Sequence, residues 1–161
     1  MKKEAVNPGR SPMGLPFSPG VRLGDFLFVS GQGPIEHNGK VEPGDVKIQT
    51  RKTLENFRKI VEAAGSSMDD VVQTTVYLKD LADFPAMNEA YSGFFRDPKP
   101  ARTTVQVELL FGMKVEIQGI AYVPPTSKHR LVRALGRTRE TVRISSCISR
   151  PRAGRQEPRI G

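Results

Sequence analysis

From Val21 to Gln32 the chain reads Val-Arg-Leu-Gly-Asp-Phe-Leu-Phe-Val-Ser-Gly-Gln, an apolar stretch cut by Gly24-Asp25. The cut predicts a strand, a tight turn and a second, buried strand ending in Ser30-Gly31-Gln32. Asn38-Gly39 tolerates the positive φ angles of a two-residue turn and predicts a hairpin between this strand and a partner near Val41. From Asp45 to Ala64 the apolar residues Leu54, Phe57, Val61 and Ala64 fall three or four apart, and Gly65 is placed to end the helix they predict. Asp69-Asp70 leads into the β-branched run Val71–Leu78, a central strand, which Asp80 to Asp83 breaks. Phe84, Met87, Ala90, Tyr91 and Phe94 share a helical face, so a second helix is expected over residues 84–96, stopped by Asp97-Pro98.

Thr103–Leu110 and Lys114–Val123 are two further strands, close in sequence and expected to pair antiparallel. The order ββ(β)αβαββ predicts an α/β sandwich, with both helices on one face of a mainly antiparallel sheet. Val105, Val107, Val115, Ile117, Ile120 and Ala121 are more apolar positions than two helices easily cover. A ring of subunits would bury the remainder.

Charge divides the chain. Residues 1–125 carry 15 basic and 15 acidic side chains, whereas residues 126–161 carry 10 basic and 2 acidic, so the whole excess of +8 lies in the second segment. A balanced body of residues 1–125 speaks against nucleic-acid binding by the folded part. The segment 126–161 is rich in Arg, Ser, Pro and Gly and reads as a disordered extension. Arg130, Arg133 and Arg137 would share one helical face there, with Leu131 and Leu135 displaced from it, a pattern also found in RNA-binding or membrane-surface segments.

The chemistry available is narrow. His37, read as an exposed turn residue, and His129 are the two histidines, and Cys147 is the single cysteine. A Ser-His-Asp or Cys-His catalyst needs an imidazole beside its nucleophile, and a zinc site needs clustered His or Cys, so residues 1–125 predict neither. Phosphate-cradling glycine motifs are absent, and no cofactor or metal is expected. The lone thiol suits a reducing compartment. The basic start lacks a secretory apolar run, no segment approaches the ~20 apolar residues of a membrane span, and a soluble cytoplasmic protein is expected.

Against this background Arg102 is the most informative residue. Pro100 favours an extended entry, so Arg102 sits just ahead of a rigid β-rich strand, where its planar fork can grip a carboxylate through two parallel hydrogen bonds. The alternative is a structural ion pair, to Glu108 or Glu116. Glu116 taken alone reads as a solvated strand carboxylate, and Ser30, with no histidine to activate it, as a backbone-satisfying hydroxyl. Asn88 alone reads as a hydrogen-bonded helix residue.

Several stretches together give a family resemblance. Leu27-Phe28-Val29-Ser30-Gly31-Gln32, the helix Leu54 to Gly65, Thr74-Thr75-Val76-Tyr77-Leu78-Lys79-Asp80-Leu81, Asn88-Glu89-Ala90-Tyr91, Phe94-Phe95, Pro100-Ala101-Arg102 and Lys114-Val115-Glu116-Ile117 occur in this order. Over about residues 14–123 the chain resembles the RidA (YjgF/YER057c/UK114) family, the 2-iminobutanoate/2-iminopropanoate deaminases. The resemblance implies a chorismate-mutase-like fold and a homotrimer whose sheets form a central barrel, with sites in clefts between subunits. It implies hydrolysis of 2-aminoacrylate and related 2-imino acids to 2-keto acids and ammonia, which detoxifies reactive intermediates without a cofactor. Arg102 matches the family's carboxylate-binding arginine and Glu116 its water-orienting or proton-shuttling glutamate. Ser30 and Gly31, with Asn88, fall in the substrate pocket.

Two positions depart from the family pattern. Phe17, in Leu15-Pro16-Phe17-Ser18, stands where a tyrosine is usual, removing a phenolic hydroxyl. Thr104 stands where many members have cysteine, at a position expected to act through its backbone carbonyl. The expected site is therefore Arg102 and Glu116 as catalytic residues, with Arg102, Ser30, Gly31, Phe17, Thr104 and Asn88 holding the substrate. Phe17 also keeps open a non-catalytic, small-acid-binding trimer, and the basic extension an RNA-associated protein.

Overall fold

The computed structural model describes residues 2–9 and 16–125. The expectations for the basic segment 126–161, with His129, Cys147 and the arginine face, lie outside the described residues. The elements are β1 (Lys3–Val6), β2 (Gly20–Leu23), β3 (Phe26–Gln32), α1 (Val46–Ala63), β4 (Val71–Leu78), α2 (Phe84–Ser92), β5 (Ala101–Gln106) and β6 (Val115–Tyr122). The strands form one sheet in the order β1-β2-β3-β6-β4-β5.

Local chemistry accounts for the element ends. Gly24 takes φ 62° in the β2–β3 turn, where Leu23 faces Phe26. Asp45 caps α1 by accepting from the Ile48 N–H at 2.9 Å, and Gly65, at φ 79°, follows the last turn as expected. β1 escapes the sequence reading because its Lys3-Glu4-Ala5-Val6 is too polar to signal a strand; pairing with β2 forms it.

Three expectations are corrected. Asn38-Gly39 does make a turn, with Gly39 at φ 83°, but Ile35 and Val41 form only an isolated bridge and no strand pair follows. α2 ends at Ser92 rather than residue 96, because Gly93 caps it; Phe95 is nevertheless buried against Tyr91, their ring centroids 4.7 Å apart.

The third correction decides the topology. β5 does not pair with β6. It lies parallel to β4, with Thr74 beside Arg102 and Leu78 beside Gln106, while β6 runs antiparallel between β4 and β3. β4, α2 and β5 form a βαβ unit, whose helical crossover returns the chain in its original direction. The short link from β5 to β6 suggests a hairpin in sequence, but β6 pairs with the opposite edge of β4.

α1 packs on β3, β6 and α2 over a core that includes Leu27, Leu54, Phe57, Val76 and Ile117. The helices cover more of the sheet than the residue count implies, since Val115, Ile117 and Ala121 are fully buried beneath them. What stays bare is the opposite face and its edge, where Phe26, Phe28, Val105 and Tyr122 are exposed. Among the described residues no helix is long and apolar enough to cross a membrane.

Candidate active site

Arg102 is the second residue of β5 and points to the helix-covered side of the sheet. Its cross-strand neighbour is the buried Thr74, whose hydroxyl shares a 2.7 Å hydrogen bond with the Tyr91 hydroxyl from α2. The guanidinium carbon lies 4.7 Å from the centroid of the Tyr91 ring and 5.7 Å from that of Phe84. None of the ion pairs among the described residues involves Arg102, so the structural pair with Glu108 or Glu116 is not formed. The half-buried cation is held by aromatic faces, and its N–H fork is unmatched by any carboxylate of the described chain.

Burial pushes the Tyr91 hydroxyl above its ordinary pKa, against the smaller opposing effects of the Thr74 hydrogen bond and the Arg102 charge. Tyr91 is therefore neutral at physiological pH, its hydroxyl engaged with Thr74. Asn88 stands four residues after Phe84 and three before Tyr91, on the same helical stripe. Thr104, two residues after Arg102, is half-buried on the same side of β5.

Glu116 lies on the other face. Its neighbours Val115 and Ile117 are buried against the helices, so alternation turns Glu116, paired with Tyr77 of β4, toward the bare side. Burial raises the pKa of its carboxyl above the ordinary carboxylate range. The register of β3 against β6 shifts between Val29 and Gln32, and there the Glu116 carboxylate fills the space a Cβ on Gly31 would need. Gly31 thus admits the Glu116 carboxylate by having no side chain.

Ser30 spends its donors within the chain. Its Oγ donates to the Ser18 carbonyl at 2.7 Å and its N–H to the Pro19 carbonyl at 2.9 Å. Ser30 is thus the backbone-satisfying hydroxyl that its turn suggests, tethering the segment that carries Phe17. Phe17 is 55% exposed, so its ring is not part of the core.

The expected site residues therefore fall into two groups. Arg102, Asn88 and Thr104 lie on the helix side, whereas Glu116 and Gly31 meet at the β3 bulge, with Ser30 next to Gly31 in the chain and Phe17 next to Ser18, whose carbonyl Ser30 holds. A single chain does not bring Arg102 and Glu116 together. Sequence reasoning misses Phe84 and Tyr91, which it places on the apolar core face of a helix, and Thr74, which it reads only as part of the central strand; 84, 88 and 91 are legible as one stripe, but the strand facing that stripe is not. Among the described residues no group of three His, Cys, Asp or Glu could hold a metal ion.

Comparison with known proteins gives a consistent result. The family described as endoribonuclease L-PSP matches residues 10–123. A RutC family protein of Pyrococcus abyssi is 45% identical over 125 residues, covering 76% of this chain and 98% of its own length. The 2-iminobutanoate/2-iminopropanoate deaminase of Escherichia coli K12 is 43% identical over 110 residues, covering 66% of this chain and 86% of the enzyme. Among solved structures, E. coli TdcF with bound serine superposes with a TM-score of 0.70 at 38% identity, covering 75% of this chain and 99% of that one.

Proposed function

The chain belongs to the endoribonuclease L-PSP family, which includes RutC- and RidA-named proteins, and from that premise we propose that it hydrolyses 2-imino acids such as 2-iminopropanoate to 2-keto acids and ammonia. The observation that carries the reading is Arg102: a guanidinium on a rigid strand, stacked on rings, with no carboxylate partner among the described residues. Such a group suits a small carboxylate ligand.

The reaction asks little beyond placement. Protonation at C3 of 2-aminoacrylate gives the iminium, water adds at C2, and the resulting carbinolamine expels ammonia as the carbonyl forms. The nitrogen leaves as ammonium and the oxygen of pyruvate comes from water. Arg102 holds the carboxylate, and Glu116, with the Thr104 carbonyl, places the water at C2. Because Arg102 and Glu116 of one chain face opposite sides of the sheet, the complete site is formed between two copies, one supplying the clamp and the other the glutamate. The exposed Phe26, Phe28 and Val105 support an assembly that covers this face, a homotrimer by family resemblance.

The test is to add the purified protein to a system releasing 2-aminoacrylate and to follow pyruvate. Acceleration over the uncatalysed rate is expected, and its absence would overturn the reading. Phe17 in place of a phenol favours one alternative, binding without turnover, which calorimetry with a 2-keto acid would show as affinity without rate enhancement.

The raised pKa of Glu116 has a definite sign. If the ionised carboxylate orients water, activity rises with pH through the folded-state pKa, so the acid limb of kcat should lie above the ordinary carboxylate range. For stability the sign is opposite. Burial favours the protonated form in the fold, so the contribution is present below the unfolded pKa and is lost as pH rises through the folded one. Glu116→Gln should abolish the acid limb, and Gly31→Ala, by displacing the carboxylate, should move it back toward the ordinary range. A pH–rate profile checks both, and an unchanged limb in Glu116→Gln would count against the assignment.

A further inference from the structure

We infer that Tyr91 and Phe84 are positioning residues: a two-ring aromatic platform fixes the plane of the Arg102 guanidinium and keeps its N–H edge open for a ligand carboxylate. The inference rests on the proposed carboxylate clamp and deepens it by saying how the clamp is held. The guanidinium carbon lies 4.7 Å from the centroid of Tyr91 and 5.7 Å from that of Phe84, both within the range in which a cation is attracted to a ring face.

A half-buried arginine can be restrained in two ways, and they differ in what they leave free. A carboxylate partner fills the fork and cancels the charge. An aromatic face instead contacts the flat side of the guanidinium, while the donors point outward in its plane. Among the described residues no ion pair involves Arg102, so the second arrangement is the one present.

The platform itself is rigid. The Tyr91 hydroxyl and the Thr74 hydroxyl are hydrogen-bonded at 2.7 Å, both residues are buried, and Thr74 is the β4 residue directly beside Arg102. The ring is thus tied to the strand that carries the arginine's neighbour, and it also contacts the buried Phe95 ring, their centroids 4.7 Å apart. Phe84, one side of the same helical stripe, is 37% exposed and has no comparable role in the core.

The test joins a resonance to a kinetic constant. In the ligand-free protein the side-chain Nε–H signal of Arg102, assigned by its disappearance in Arg102→Lys, should be shifted by the ring currents, and Tyr91→Leu and Phe84→Leu should each reduce the shift. KM for 2-iminopropanoate should rise about tenfold in Tyr91→Leu and about threefold in Phe84→Leu, with kcat changed less, while Tyr91→Phe, which keeps the ring but loses its tether to Thr74, should fall between wild type and Tyr91→Leu. An unshifted resonance in the wild type, or wild-type KM in both folded leucine variants, would overturn the platform. Should Tyr91→Leu fail to fold, Phe84→Leu decides alone, because its ring is partly in solvent. An inactive wild type with a ring-shifted Arg102 would sink the deaminase reading and uphold the platform; an active wild type without the shift would do the reverse.

Discussion

Arg102→Ala is expected to lower kcat/KM for 2-iminopropanoate by about two to three orders of magnitude, the usual cost of about 3–4 kcal/mol for removing one partner of a desolvated charge pair. The affinity for a 2-keto acid should fall in parallel, because substrate and product carry the same carboxylate. Folding should hardly change: Arg102 makes no ion pair among the described residues, and stacking of a half-exposed cation contributes about 1 kcal/mol. Arg102→Lys should recover little, since an ammonium has the charge but neither the flat face for Tyr91 nor the two-pronged edge for the carboxylate. Steady-state kinetics beside a thermal melt separates loss of the clamp from loss of the fold, and full activity in a folded Arg102→Ala protein would remove the basis of the proposed function.

Gly119→Val is expected to destabilise the domain by about 3 kcal/mol or more, a large part of the 5–15 kcal/mol typical of a whole domain. Gly119 sits in β6, which is paired on both sides, and a Cβ there would lie 2.5 Å from the Gln73 carbonyl oxygen and 3.0 Å from the Phe57 ring. The first obstacle is backbone in the neighbouring strand and cannot rotate away. The second is a fully buried ring at the centre of the core. Phe57→Ala in the same protein should therefore not rescue the variant, because the carbonyl remains and a cavity is added. A urea titration reads this as a lower midpoint, and a midpoint equal to wild type would show that β6 is less constrained than its pairing implies.

The two variants act on different levels of the molecule. Arg102 contributes to the site and little to stability, whereas Gly119 contributes to stability by allowing close approach of a helix to the sheet. The ring that crowds Gly119 comes from α1, and the rings that stack on Arg102 come from α2, so both helices place aromatic groups on the same face of one sheet. That face is the inner layer of the fold at its centre and the wall of the candidate site at its edge.

Sequence alone determined most of the elements, because periodicity reports on local burial. The alternation and β-branching of Val71–Leu78, the three-and-four spacing of Leu54, Phe57 and Val61, and the glycines at 24 and 65 each record a local requirement that neighbouring residues express. The ordered motifs around Ser30, Arg102 and Glu116 likewise pointed to the family. Tertiary structure decided which strand lies beside which. Whether β5 pairs with β6 or with β4 depends on where α2 returns the chain, and no short-range pattern encodes that. The same placement set Arg102 on the helix side over Tyr91 and Phe84 and turned Glu116 to the bare side over Gly31, since side chains alternate along a strand but only packing says which face is covered.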